Sequence, residues 1–181
     1  MKSRLITLLD LETTGLDPTR HEIIEIAAVI LEQPGLEIRD TFEAKIKPER
    51  MELADPEALQ VNGYCVEDWV GARPRKEALE EFLAKTESSV LCGQNVAYDF
   101  AFLRKAFADH GIPFRYHHHI VDVMSMAYLH WYQHPTLKRY GLTEMTETFR
   151  IDRGRAHRAM DDVKATYEVL KKIFSEAGYI T

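Results

Sequence analysis

The sequence predicts an α/β protein with a mixed sheet and helices packed on it. Three observations carry this. Between Leu5 and Ile46, three segments with strand character follow one another, separated by short turns. From Val90 onward, two short strand-like segments each lead into a helical one. Apolar spacing in the remaining long segments follows a helical period. Strands in succession give antiparallel pairs, and strand–helix units give parallel ones, so the sheet is mixed.

The elements follow in order. Leu5 to Leu9 is a nearly continuous apolar run, as in a strand buried on both faces. Leu16 to Arg20 contains Asp17-Pro18 and reads as a turn. Glu22 to Glu32 fits helix or strand by length; its β-branched content favours a strand, and Pro34-Gly35 ends it. Leu36 to Ile46 alternates loosely and completes an antiparallel meander. Pro48 to Trp69 reads as a loop with a short helix near Asp55 to Gln60. Pro74 to Lys85 is an amphipathic helix with Ala78, Leu79, Phe82 and Leu83 inward. Val90 to Gly93 is a short strand leading into a helix from Val96 to His110, stopped by Gly111. Ile120 to Val123 is a strand, Met124 to Tyr132 a helix, Leu142 to Phe149 a short helix, and Arg158 to Ala177 the last helix. Leu142, Met145 and Phe149 form a stripe suited to a core.

The length of 181 residues favours a single domain over residues 1–181, with a sizeable core. Apolar content of 45% and charged content of 29% point to a globular chain rather than a disordered or fibrous one. No apolar run approaches the ~20 residues of a membrane span. The N-terminus enters the first strand without room for a signal peptide. Two cysteines, Cys65 and Cys92, give no disulfide framework, so a reducing cytoplasm is expected. The net charge of −6 argues against non-specific nucleic-acid binding and leaves room for a local basic path.

Against this ordinary background, the placement of acids stands out. Asp10 and Glu12 sit two apart at the end of the first strand and therefore point to the same face. Two like charges in a buried strand repel, and desolvation penalises both. A divalent cation removes the conflict, and oxygen ligands suit Mg²⁺ or Mn²⁺. Read alone, Asp-x-Glu fits a solvated strand end equally well. Asp99 shares its helix face with Phe102, Leu103, Ala106 and Phe107; a dipole-complementing acid need not face inward. On the last helix Asp162 aligns with Thr166, Val169 and Ile173, while Asp161 lies about 100° away toward solvent. His157, just upstream, is a general-base candidate. Adjacent His117, His118 and His119 lack the spacing of a zinc site and read as a surface turn. Asp122 reads as structural, and Trp69 and Trp131 as packing residues.

Asp10-x-Glu12 before Thr13-Thr14-Gly15, Asn95-x-x-x-Asp99, and His157 followed by Asp162 resemble the three motifs of the DnaQ-like family of 3′→5′ exonucleases, in its DEDDh branch. The pattern also resembles that of the polymerase III epsilon-type exonuclease domains of this family. Each motif is weak alone; three in order and spacing are strong. The resemblance runs from Leu5 to about Phe174. It implies an RNase H-like fold: a five-stranded mixed sheet, strand 2 antiparallel, flanked by helices. The family pattern often has His where this chain has Gln94 and Asn62.

The resemblance also implies a site. Asp10, Glu12 and Asp162 would hold one divalent cation, Mg²⁺ or Mn²⁺. Asp10 would bridge to a second, with Asp99 beside it. His157 would take the proton of the attacking water, releasing nucleoside 5′-monophosphates. Thr13 and Thr14 would present backbone groups to the terminal nucleotide. Leu16 would wedge against a base, Tyr98 would pack on the sugar or base, and Asn62 would stand in the middle loop. Apart from the resemblance, Arg150, Arg153, Arg155 and Arg158 bracket His157; the run fits a solvated loop, or a basic path in which some of them, Arg155 and Arg158 foremost, would reach substrate phosphates. The implied partners are single-stranded 3′ ends, DNA favoured, with no membrane. A DNA polymerase association or a homodimer stays open. Three other readings compete: an exoribonuclease of the oligoribonuclease or RNase T type, a hydrolase acting on another phosphodiester or a small nucleotide, and a non-catalytic nucleic-acid-binding module. The last would have lost a carboxylate or the histidine, and all five are present.

Overall fold

The computed structural model describes residues 3–180. One sheet contains β1 Ile6–Thr13, β2 Ile23–Glu32, β3 Glu37–Lys45, β4 Val90–Gly93 and β5 Ile120–Asp122, in the order β3-β2-β1-β4-β5. β2 runs antiparallel to both neighbours, while β1, β4 and β5 are parallel. The ambiguity over Glu22–Glu32 resolves as a strand, because this segment lies between β1 and β3 with all but its last residue buried. At the sheet edge, β3 exposes Glu37, Arg39, Asp40 and Glu43, charges that discourage edge pairing.

Among the described residues six α-helices accompany the sheet: α1 Pro56–Asn62, α2 Arg75–Thr86, α3 Val96–Asp109, α4 Val123–His130, α5 Leu142–Phe149 and α6 Ala159–Glu176. Their ends carry local explanations. The Asp55 carboxylate caps α1 through Glu57 N (2.9 Å), and Gly63, at φ 65°, closes it. Asp122 accepts from Ser125 N (3.0 Å) and starts α4 at Val123, one residue earlier than the sequence suggests. Among the described residues no helix is long and apolar enough to cross a membrane.

β1 divides its side chains between two cores, as a strand buried on both faces must. Ile6 and Leu8 join the cluster that includes Val123, Ala127, Met145, Val163 and Val169, beneath α4, α5 and α6. Leu9 and Leu11 join Phe82, Leu103 and Phe107, beneath α2 and α3. Leu8 and Leu9 are essentially fully buried. Truncating either to Ala would cost roughly 2–5 kcal/mol. The central position of β1 is what carries Asp10 and Glu12 into the middle of the molecule.

One irregularity sets the site. Glu12 pairs with Glu25, but Thr13 pairs with Ile23, so Ile24 is an extra residue in β2. Such bulges bend a strand and re-aim its side chains. The Trp69 indole donates to the carbonyl of Ile24 (3.0 Å), satisfying the bulged backbone. Trp69 is thus a packing residue that also makes one polar contact.

Candidate active site

Alternation continues along β1 past Leu8, so Asp10 and Glu12 project toward α6. Pairing between β1 and β4 stops at Leu8–Cys92, which leaves the β4-side edge of β1 open beyond that point. The α3 N-terminus fills this gap. Gly93 permits it, because a Cβ there would stand 2.8 Å from the Leu9 carbonyl. Asp99 then turns inward, 3% exposed, and accepts from Leu11 N (3.1 Å). Asn95 occupies the N-cap position of α3 with left-handed backbone (φ 58°) and no side-chain cap bond. Asp122 instead accepts from Val96 N (3.3 Å), which gives it the structural role read from the sequence.

On α6, Asp162 is 5% exposed and faces the same cleft, while Asp161 lies partly exposed outside it. The helical-face assignment therefore holds. Asp161 shapes the loop instead: it accepts from Arg155 N (3.0 Å), and its carboxylate leaves no room for a side chain at Gly154, whose φ is 67°. The segment before α6 is thus folded back over the helix start. His157 is exposed, has φ 60°, and reaches Asp162 Oδ2 through its backbone N–H (3.3 Å). Glu12, His157 and Asp162 present ligand atoms within 4.8 Å of one another. Asp10, Glu12, Asp99, Asp162 and His157 line one cleft of about 540 Å³.

Crowding marks the electrostatics. Burial, reinforced by Asp99, Glu12 and Asp162, holds Asp10 well above the usual carboxylate range. Burial and the charges of Asp162 and Glu25 push Glu12 up to about 8. Asp99 is also raised, chiefly by burial. A lone acid would shift by burial alone; here neighbouring carboxylates add to burial at each of the three, which favours a positive charge nearby.

The residues assigned to substrate divide into two groups. Leu16 (77% exposed) lines the cleft with Val61 (51%), and the Tyr98 ring faces the same space. The others are committed elsewhere. Asn62 is buried, donating to the Thr13 carbonyl (2.9 Å) and accepting from Tyr64 N (3.2 Å), so it pins α1 to β1. Thr14 bonds Glu22 through its backbone N–H (2.9 Å), and its carbonyl accepts from Asp55 N (2.7 Å). The Thr13 hydroxyl bonds Tyr98 Oη (2.6 Å). Thr13 and Thr14 therefore shape the turn rather than offer these backbone groups to a nucleotide. Arg155 places its guanidinium against Gly63, at the end of α1. Arg158 turns toward Glu25 (3.8 Å) and the Trp69 ring (5.4 Å), away from the cleft.

Two charged residues missing from the sequence-derived site belong to it. Arg153, not Arg155 or Arg158, enters the cleft and grips Asp162 with Nε and Nη2 (2.6 and 2.7 Å). Glu25, opposite Glu12, is buried and accepts from Ala159 N (3.2 Å), holding the start of α6. Its signal is an acid inside Ile23-Ile24-Glu25-Ile26, the same anomaly that marks Asp10. For Arg153 the sequence offers four equivalent arginines and no means of choosing. The rings of His117, His118 and His119 cluster (centroids 4.1–5.1 Å apart) before β5, with His117 and His118 stacked, in keeping with a turn.

Known proteins share this fold and match most of this chain. The family model RNase_T, described as Exonuclease, matches residues 7–170. A DNA polymerase III of PolC type from Thermotoga maritima is 33% identical over 162 residues, 90% of this chain and 11% of that protein. E. coli Exonuclease I in complex with a dT13 oligonucleotide superposes with a TM-score of 0.83 at 18% identity, over 97% of this chain and 42% of the other. The zinc-bound form of an E. coli ExoI–ssDNA complex superposes with the same score at 19% identity, over 97% and 41%. The chain spans about a tenth of that polymerase and under half of these exonuclease chains. At such identity the last two are likenesses of fold.

Proposed function

The chain belongs to the DnaQ-like exonuclease family and has its RNase H-like fold, and from that premise we propose that it is a metal-dependent 3′→5′ exonuclease acting on single-stranded nucleic acid, with DNA the favoured substrate and residues 1–181 forming one exonuclease domain. One observation carries the reading: Asp10 and Glu12 of β1, Asp99 of α3 and Asp162 of α6 converge with His157 on one cleft, against the cost of burying like charges. Fold stability gives no reason to bring them together.

The donor set fits a hard divalent cation. It offers several carboxylate oxygens, and Asp10, Glu12 and Asp99 are raised first by burial and then by neighbouring acids, a cost that a bound cation would relieve. Asp10, Glu12 and Asp162 would hold one ion, Mg²⁺ or Mn²⁺, with Asp10 and Asp99 at a second. When bound, such ions supply charge stabilisation for the attacking and leaving oxygens of an in-line displacement.

The protein's own groups do the rest. His157 lies at the open side of the cleft, where it would accept the proton of an attacking water. Its backbone bond to Asp162 ties the base to the acid cluster. Leu16, Val61 and the Tyr98 ring form an apolar rim on which the 3′-terminal base would rest. The Tyr98 hydroxyl, bonded to Thr13 and Gly15, keeps that ring in place. The leaving group would be the 3′-oxygen of the penultimate nucleotide, and the product a nucleoside 5′-monophosphate. DNA is favoured because the relatives are DNA polymerases and the fold neighbour was solved on an oligodeoxynucleotide; a DNA polymerase is the partner class they suggest.

The test is incubation of 3′- and 5′-labelled DNA and RNA single strands with Mg²⁺, Mn²⁺ or EDTA. A 3′ label should leave first, as mononucleotide, only with a cation. Release of the 5′ label first, or activity unaffected by EDTA, would overturn the reading.

A further inference from the structure

The carboxylate cluster already contains a cation, and it is a side chain. The Arg153 guanidinium spans both oxygens of Asp162, Nε to Oδ1 at 2.6 Å and Nη2 to Oδ2 at 2.7 Å. Its remaining nitrogen, Nη1, donates to Thr143 Oγ1 at 2.6 Å. The side chain is 13% exposed and lines the cleft. This fork places a permanent charge in the plane of the carboxylate, along the directions a metal would also use. Its charge opposes the shifts of Asp10 and Glu12, so the guanidinium serves the whole cluster.

A divalent ion on Asp162 would meet this guanidinium at close range. Two cations on one carboxylate repel, and the side chain is the one that can move. Its other hold, Thr143, is neutral. We propose that Arg153 is the resident counter-cation of the site, that an incoming divalent ion displaces it from Asp162, and that the freed guanidinium then grips the phosphate of the bound nucleotide. This rests on the reading of the cluster as a cation site. Arg suits both roles, since carboxylate and phosphate present similar bidentate edges. Arg155 and Arg158 cannot share them from their present positions at Gly63 and Glu25. The His157 backbone N–H also bonds Asp162 Oδ2, so the exchange acts on the loop that bears the base.

The experiment is calorimetric titration of the full chain with Mn²⁺ in the absence of nucleic acid, for the unaltered protein, Arg153→Gln and Thr143→Val. Arg153→Gln should bind Mn²⁺ about tenfold more tightly or better, because the competitor is gone. Thr143→Val should fall between, since it loosens the guanidinium without touching a carboxylate. With saturating Ca²⁺, a nucleoside 5′-monophosphate should bind Arg153→Gln about tenfold more weakly, the loss of one charge-assisted contact. Unchanged or weaker Mn²⁺ affinity in both variants would overturn the exchange while leaving the cation site standing. Unchanged nucleotide affinity would overturn the phosphate role. Absence of Mn²⁺ binding in all three proteins would overturn the cation site and the exchange together.

Discussion

Replacing Glu12 by Gln should stabilise the metal-free protein while impairing cation binding. Gln has the shape of the protonated acid and carries no charge. Glu12 rises from 4.5 to about 8 on folding, so the folded chain keeps a proton that the unfolded chain releases. The sign follows. Below about 4.5 both states are protonated and Glu12 costs nothing. Between 4.5 and 8 the unfolded state binds fewer protons, so stability falls as pH rises; above 8 the loss is complete. At pH 7 the loss is on the order of 3 kcal/mol, and at the plateau about 5, as ceilings for a cluster that shares charge. Gln removes this loss. For a chain of this size each kcal/mol moves the melting point by roughly 2–4 °C, so Glu12→Gln should melt up to about 6–12 °C higher at pH 7. The assay is thermal melting in EDTA from pH 4.5 to 9, repeated with Mg²⁺. The advantage should vanish at the acid end, grow through neutrality, and shrink with Mg²⁺, which stabilises the unaltered protein more. A variant that melts lower at pH 7, or an offset that ignores pH, would refute the reasoning.

Other consequences can be checked with the same preparations. Asp10→Asn should abolish turnover and cation binding together, and Asp162→Asn nearly so; Asp161→Asn should keep most activity, and steady-state rates would expose an inverted order. His157→Ala should lower kcat by roughly 10²–10⁴-fold with Mn²⁺ affinity retained, as for loss of a general base; lost Mn²⁺ binding would instead make it a ligand. Arg158→Gln should leave the salt dependence of KM unchanged, because its side chain faces Glu25, and should destabilise the fold by about 1–3 kcal/mol in thermal melts; a flatter salt slope would return Arg158 to the substrate path. Asn62→Ala should destabilise by about 1–3 kcal/mol by freeing the buried Thr13 carbonyl; an unchanged melt would contradict that role.

Where local period decides, the sequence can be read closely. Two-residue spacing puts Asp10 and Glu12 on one face, and the helical wheel separates Asp162 from Asp161 by about 100°, as the burial of Asp162 bears out. The mixed sheet and its antiparallel meander follow from three strands in succession and two strand–helix units, while the placing of β4 and β5 beside β1 does not. What escapes depends on contacts between distant segments. Glu25 reaches Ala159 across 134 positions, and the Ile24 bulge brings Trp69 and Arg158 to the back of the site. The family pattern places Asn62 at the substrate, yet its amide is spent on Thr13, 49 residues away. No local pattern encodes either pairing. The choice among Arg153, Arg155 and Arg158 likewise rests on loop geometry, set by left-handed Gly154 and His157.

The central claim is that this acid cluster hydrolyses nucleic acid from a free 3′ end, and product analysis on three forms of one single-stranded DNA tests it most directly. The forms are a strand with a free 3′-hydroxyl, the same strand with its 3′ end blocked, and the closed circle, each with Mg²⁺. The first should yield nucleoside 5′-monophosphates, released one at a time, and the other two should resist. Efficient cleavage of the circle, or oligonucleotides as the first products, would contradict the claim.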